Sequence, residues 1–144
     1  MGMSVLNTIE IIPLSRINTP NGDVLHALKN DDKGFFGFGE AYFSWVNIHT
    51  VKAWKKHNAM SMNLVVPHGN VRFVFYDEST DDYRVEEIGD KRYVRLSVPS
   101  GIWFGFKGLY APSSLILNIA NIKHDVNEVH KLTQNNFSYD WSLN

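Results

Sequence analysis

The sequence predicts an all-β fold, a jelly roll or antiparallel β-barrel with one short C-terminal helix. Short apolar, β-branched runs recur along the chain, and Gly, Pro, Asn or Asp closes each of them. Helix signals gather in a single stretch near the C-terminus. The third observation is size: 144 residues, 44% apolar and 13% aromatic, are enough for a real core and too apolar for disorder. The chain reads as one domain, residues 1–144.

In chain order, residues 5–13 are apolar and β-branched and predict a first strand. Asn18, Pro20, Asn21 and Gly22 mark a loop, and residues 24–29 a short strand. A turn over residues 30–34 leads to an aromatic, Gly-rich run over 35–45. There Gly37 and Gly39 predict a bulge or a close backbone approach. Residues 51–76 hold the most unusual pattern. Lys52, Lys55, Lys56 and His57 crowd a half-buried strand. Two apolar runs, 62–66 and 71–76, follow and flank Pro67-His68-Gly69-Asn70, a hairpin signal. Cations on a strand beside a hairpin predict a pocket for an anion. The acidic run 77–82 reads as a solvated hairpin tip. Residues 83–88, 92–98, 102–106 and 114–119 read as further strands. Asp125-Val-Asn-Glu128 has the form of a capping box opening a short helix. The aromatic tail, 137–141, is expected to pack on the body. By pattern alone an immunoglobulin-like sandwich also fits, but it leaves the cationic strand unexplained.

Composition narrows the function classes. Net charge is −1, without the basic excess that a nucleic-acid partner leaves. Cysteine is absent, which removes disulfides, thiolates and Cys-based zinc sites. No run approaches transmembrane length, and residues 1–7 lack the regions of a signal peptide. The expectation is a cytoplasmic protein with no membrane or nucleic-acid partner.

Two motifs carry a family resemblance. Lys55-x-His57-x4-Met62-x6-Gly69 has the spacing of the first cupin motif, H-x-H-x4-E-x6-G. Pro99-Ser-Gly101-Ile-Trp-Phe104 matches the second, P-x-G-x-x-H, and continues as Gly105-Phe106. The chain therefore resembles the cupins, and within them the 3,5-epimerases of dTDP-4-keto-6-deoxy sugars and the related 3,4-ketoisomerases. Lys52 stands where those epimerases carry a basic residue, three before the first His. The resemblance spans roughly residues 24–130. It implies a cupin jelly roll, a nucleotide-sugar ligand of the dTDP-sugar kind, a homodimer, no cofactor and a place in surface-polysaccharide synthesis.

The departures also matter. Lys55, His57, Met62 and Phe104 occupy the positions of the cupin metal ligands. One imidazole does not hold an ion and an ammonium repels it, so no metal is expected and a metal-dependent cupin dioxygenase is disfavoured. The epimerase base falls at Lys55, while the second His of the ketoisomerases falls at His57. The epimerases' Tyr acid falls near Leu117 and Asn118, neither an acid. The Asp that partners their base near the C-terminus has no counterpart assigned here.

Isomerising a 4-keto sugar requires a base near neutrality, a cation for the enolate oxygen and an acid to return the proton. His57 is the candidate base. Lys55 is the electrophile, or a base if burial lowers its pKa. Lys52 and Arg72 are candidates for the pyrophosphate. Trp103, Phe104 and Phe106 either stack on the ligand or build the core. Tyr42 and Tyr76 are candidate acids, His49 a residue of the pocket mouth, and Glu40 a partner for one of the lysines. His26, His68, His124 and His130 show no ligand-like spacing. Two functions follow: a nucleotide-sugar epimerase or isomerase, or a binding module of the same fold that holds such a sugar without turnover.

Overall fold

Apolar residues two apart on most strands build a core between two antiparallel sheets. The computed structural model describes residues 4–143. In chain order the strands are β1 (Glu10–Pro13), β2 (Arg16–Ile17), β3 (Val24–Leu25), β4 (Glu40–Asn47), β5 (Val51–His57) and β6 (Met62–His68). They continue with β7 (Asn70–Asp77), β8 (Asp82–Gly89), β9 (Val94–Val98), β10 (Trp103–Gly108), β11 (Ser113–Ala120) and β12 (Val129–Lys131). One sheet has the order β1-β9-β6-β11-β4, and the other β12-β5-β10-β7-β8. Strands β2 and β3 form a small ribbon. The all-β jelly-roll expectation stands at this level. Among the described residues the sheets do not close into a barrel: β1 and β4 are the edges of one, β12 and β8 those of the other.

Met62, Leu64 and Val66 from β6 face Val71, Phe73 and Phe75 from β7 in the buried core between the sheets. Those two strands are not a hairpin. β6 pairs with β9 and β11, whereas β7 pairs with β10 and β8. Gly69, at φ 94°, is a corner that passes the chain from one sheet to the other. A side chain there would also collide with Ser114, 2.2 Å from the position of its Cβ. The true hairpin is β7–β8, closed by Asp77 opposite Asp82, with an exposed acidic tip as expected. Gly39 gives the close approach expected of it, since a Cβ there would lie 2.1 Å from the Ile122 backbone.

The predicted helix at Asp125 is a turn, and the described residues are helical only in two 3-10 turns, Val5–Thr8 and Gln134–Asn136. A capping box needs the Glu128 carboxylate to reach back to the Asp125 N–H. Here that carboxylate is turned to His57 and to the Ala59 and Met60 N–H groups, while Asp125 Oδ1 accepts from the Asn127 N–H. The first of the 3-10 turns occupies Val5–Thr8, where the first strand was expected to begin. Asp77 holds it, accepting from the Ser4 hydroxyl at 2.8 Å and the Val5 N–H at 3.2 Å.

Burial pushes the Asp77 carboxyl up, but bonds from the Ser4 and Ser79 hydroxyls and the Ser79 and Val5 N–H groups outweigh it and hold the pKa at about 2, below the usual 3.8. A depressed carboxyl adds stability that is fully present above pH 3.8 and lost as pH falls through about 2. Asp77→Ala is therefore expected to cost about 1.5–3 kcal/mol at neutral pH. It should also flatten the acid limb of a urea-midpoint profile over that window.

Candidate active site

A cavity of about 440 Å³ lies between the sheets. Its walls are apolar, with Met62 and Leu64 facing Phe73, Phe104 and Phe106. Its polar groups come from both sides. Lys52, Lys55 and Lys131 reach in from β5 and β12, and Tyr42, Ser44 and Asn118 from β4 and β11.

A bulge in β5 gathers the lysines. Phe106 pairs with Lys52 and Gly105 with Ala53, but Phe104 pairs with Lys55, so Trp54 is the extra residue. Ala53 and Trp54 both pack in the outer aromatic cluster. Lys52 and Lys55, three apart, consequently line one cavity, where a regular strand would send them to opposite faces. The bulge also requires Gly105, because a Cβ there would lie 2.5 Å from that of Ala53. Lys131, opposite Lys55 in the β12–β5 ladder, is the third cation. Burial, then Lys131 and Lys52, lower the Lys55 pKa below 10.5, against a smaller opposing effect of Glu128.

His57 follows Lys55 by two residues on the same face. It is 5% exposed, stands behind Phe104 and stacks on that ring at 5.9 Å. Its Nδ1–H donates to Glu128 Oε2 at 2.5 Å. With Nδ1 engaged by Glu128, Nε2 is the ring nitrogen left for an acceptor role. Burial pushes Glu128 up, but the bonds from His57 and from the Met60 and Ala59 N–H groups outweigh it and hold the carboxyl below its usual 4.5. Glu128 is thus an anionic orienter for His57. The Gly101 N–H donates to the His57 carbonyl at 2.6 Å, so the two sequence motifs meet at this residue.

Of the expected site residues, Lys52, Lys55 and Phe104 line the cavity and His57 adjoins it. Arg72, Tyr76 and Trp103 do not, because they point from the other face of their sheet. Arg72 bonds Glu87 at 2.9 Å and the Leu143 carbonyl. Tyr76 stacks on Phe137 at 4.3 Å, and its hydrogen bond to Asp81 pushes its pKa up to about 12, the wrong direction for an acid. Trp103 donates to Glu78 at 2.7 Å and packs on Phe137. The aromatic tail covers this outer face, as the sequence suggested. His49 sits exposed in a turn at φ 67°, away from the cavity, and Glu40 forms no ion pair with a lysine among the described residues.

Sequence reasoning missed Glu128, Lys131 and the pairing of Tyr42 with Asn118. Glu128 carried a signal, but a local one for a helix cap. Among the described residues no group of three or more His, Cys, Asp or Glu side chains is placed to hold a metal ion. None of their helices is long and apolar enough to cross a membrane.

No protein-family model matches the sequence, and no curated protein sequence matches it. Solved structures do. A dTDP sugar isomerase from Desulfovibrio desulfuricans G20 superposes with a TM-score of 0.90 at 28% identity, over 98% of this chain and 95% of that one. The chain has the fold of the dTDP-sugar isomerases and epimerases. A sugar 3,4-ketoisomerase from Thermoanaerobacterium thermosaccharolyticum, in complex with TDP, matches with a TM-score of 0.75 at 17% identity, over 87% and 88% of the two chains. The dTDP-4-dehydrorhamnose 3,5-epimerase of Bacillus anthracis str. Ames, with TDP and PPi bound, has a TM-score of 0.79 at 12% identity, over 94% and 86%. These two share the isomerase–epimerase fold at low identity.

Proposed function

We propose that the chain is an epimerase or isomerase of a 4-keto-6-deoxy sugar nucleotide, of the dTDP-sugar kind, acting by proton abstraction next to the carbonyl. The observation that carries this reading is the His57–Glu128 pair beside a cavity lined by three lysines. His57 Nε2 takes the α-proton, and Glu128 fixes the tautomer and stabilises the imidazolium that forms. The Lys55 ammonium faces the enolate oxygen, where charge develops in an apolar cavity and a fixed cation counts most. Lys52 and Lys131 supply positive charge for the diphosphate, and Phe104 and Phe106 supply flat surface for the sugar or base. The two structural relatives carrying TDP support this choice of ligand.

NMR detection of deuterium entering dTDP-4-keto-6-deoxyglucose from deuterated water tests the proposal. Exchange is expected with catalytic amounts of protein. Binding without exchange would make the chain a sugar-nucleotide binding module instead.

The wider context belongs to the same proposal: a cytoplasmic step in surface-polysaccharide synthesis, carried out by a homodimer. β4 is a sheet edge, and Phe43 and Trp45 on its outer face are 63% and 57% exposed. An aromatic edge of this kind calls for a cover. Light scattering at micromolar concentration is expected to report twice the 16.5 kDa chain mass. A monomer would count against the dimer.

A further inference from the structure

The proposed function uses Lys55 as a fixed charge, yet its surroundings also suit a nucleophile. Lys52, Lys55 and Lys131 all line the cavity, but they are not equivalent. Lys52 is exposed and donates to the Trp45 carbonyl at 3.0 Å. Lys131 is exposed as well. Lys55 is half-buried, opposite Phe104 in the β10–β5 ladder and opposite Lys131 in the β12–β5 ladder. Burial and the two neighbouring lysines all disfavour its charged form. Glu128 opposes them with the smallest effect, and that carboxylate is already held by His57 and by the Ala59 and Met60 N–H groups. Desolvation and a neighbouring cation are what turn a lysine into an amine nucleophile, and its partner in that role is a carbonyl.

A 4-keto sugar supplies such a carbonyl. We propose that Lys55 Nζ captures the keto carbon of the ligand as an iminium, so that the proton is removed next to a C=N⁺ bond. The step rests on the keto-sugar ligand of the functional reading above and adds a covalent stage to it. Lys55 first gives a proton to solvent. Its nitrogen pair then forms the C–N bond, and the π pair of the carbonyl moves to oxygen. That oxygen takes one proton from the nitrogen and one from solvent and leaves as water. His57 takes the α-proton, and the C–H pair moves towards the nitrogen to give an enamine. Reprotonation of the carbon restores the iminium. Water then adds, the C–N bond breaks, and ketone and amine are regenerated. One water is released and one consumed, and nothing is oxidised or reduced.

Reductive trapping tests the step. The wild-type protein is incubated with dTDP-4-keto-6-deoxyglucose and cyanoborohydride, which reduces an iminium far faster than a ketone. Intact-mass measurement and peptide mapping follow. A single adduct is expected on Lys55, heavier by the ligand less one oxygen atom. Lys55→Arg keeps a cation that forms no imine. It should lose the adduct and α-proton exchange together, whereas a purely electrostatic role would preserve the exchange. Wild-type exchange without an adduct, an adduct confined to Lys52 or Lys131, or undiminished exchange in Lys55→Arg overturns the covalent step and leaves the isomerase reading intact. An adduct on Lys55 without exchange supports the capture and sinks the isomerase reading. Neither adduct nor exchange overturns both. The wild-type trapping decides the matter even if Lys55→Arg fails to fold.

Discussion

His57→Asn is expected to slow α-proton exchange by about 10²–10⁴-fold, the usual worth of a general base, while ligand affinity stays nearly the same. The selectivity follows from the geometry. His57 stands behind Phe104 beside the cavity, and the lysines that line it are untouched. Asn is close in size and its amide can still donate to Glu128, so the buried carboxylate keeps a partner and the fold survives. Removing Glu128 instead is the harsher change. Its other oxygen accepts from the Ala59 and Met60 N–H groups at 3.0 and 2.8 Å, and Glu128→Ala would strand both donors. Exchange in His57→Asn at the wild-type rate would move the base elsewhere, with Lys55 the first group to test.

Lys55→Met is expected to lower both turnover and affinity while making the protein more stable. The charge meets the ligand in the ground state and the enolate in the transition state, so kcat and KM suffer together. The stability gain follows from the lowered pKa. Burial and two neighbouring lysines disfavour the charged form in the folded protein. The cost is therefore full below the folded pKa and is relieved as pH rises from there to the unfolded 10.5. Met keeps the apolar stem and removes the charge, so a small gain is expected, reduced because the ammonium is partly solvated. The gain should be read at neutral pH and be gone by about pH 10.5. A loss of stability would show that Lys55 is solvated by groups other than those facing it here.

The legible part of the candidate site is the part that follows one strand. Motif spacing named Lys52, Lys55, His57 and Phe104, and β-periodicity placed Lys55 and His57 on one face. The failures share a cause, which is pairing between distant segments. Gly69 carries the same local signal in a corner as in a hairpin, and only the partners of β6 and β7 tell them apart. Arg72 was misplaced because alternation separates two faces without saying which one encloses the cavity. Both faces of β7 are buried, one by the core and one by the tail. Glu128 lies 71 residues from His57, and nothing within its own segment reveals that its carboxylate is already engaged.

The bulge that brings the lysines together also joins the cavity to a group of chromophores. Trp54, the extra residue, lines the cavity and packs its ring 5.4 Å from Trp141 and 5.2 Å from Phe137. Trp103 belongs to the same cluster, so three of the four tryptophans lie in one neighbourhood. An anion drawing Lys52 and Lys55 together pulls on the backbone that carries the Trp54 indole. Occupancy of the cavity is therefore expected to change the protein's own ultraviolet emission, so that a titration needs neither a label nor turnover.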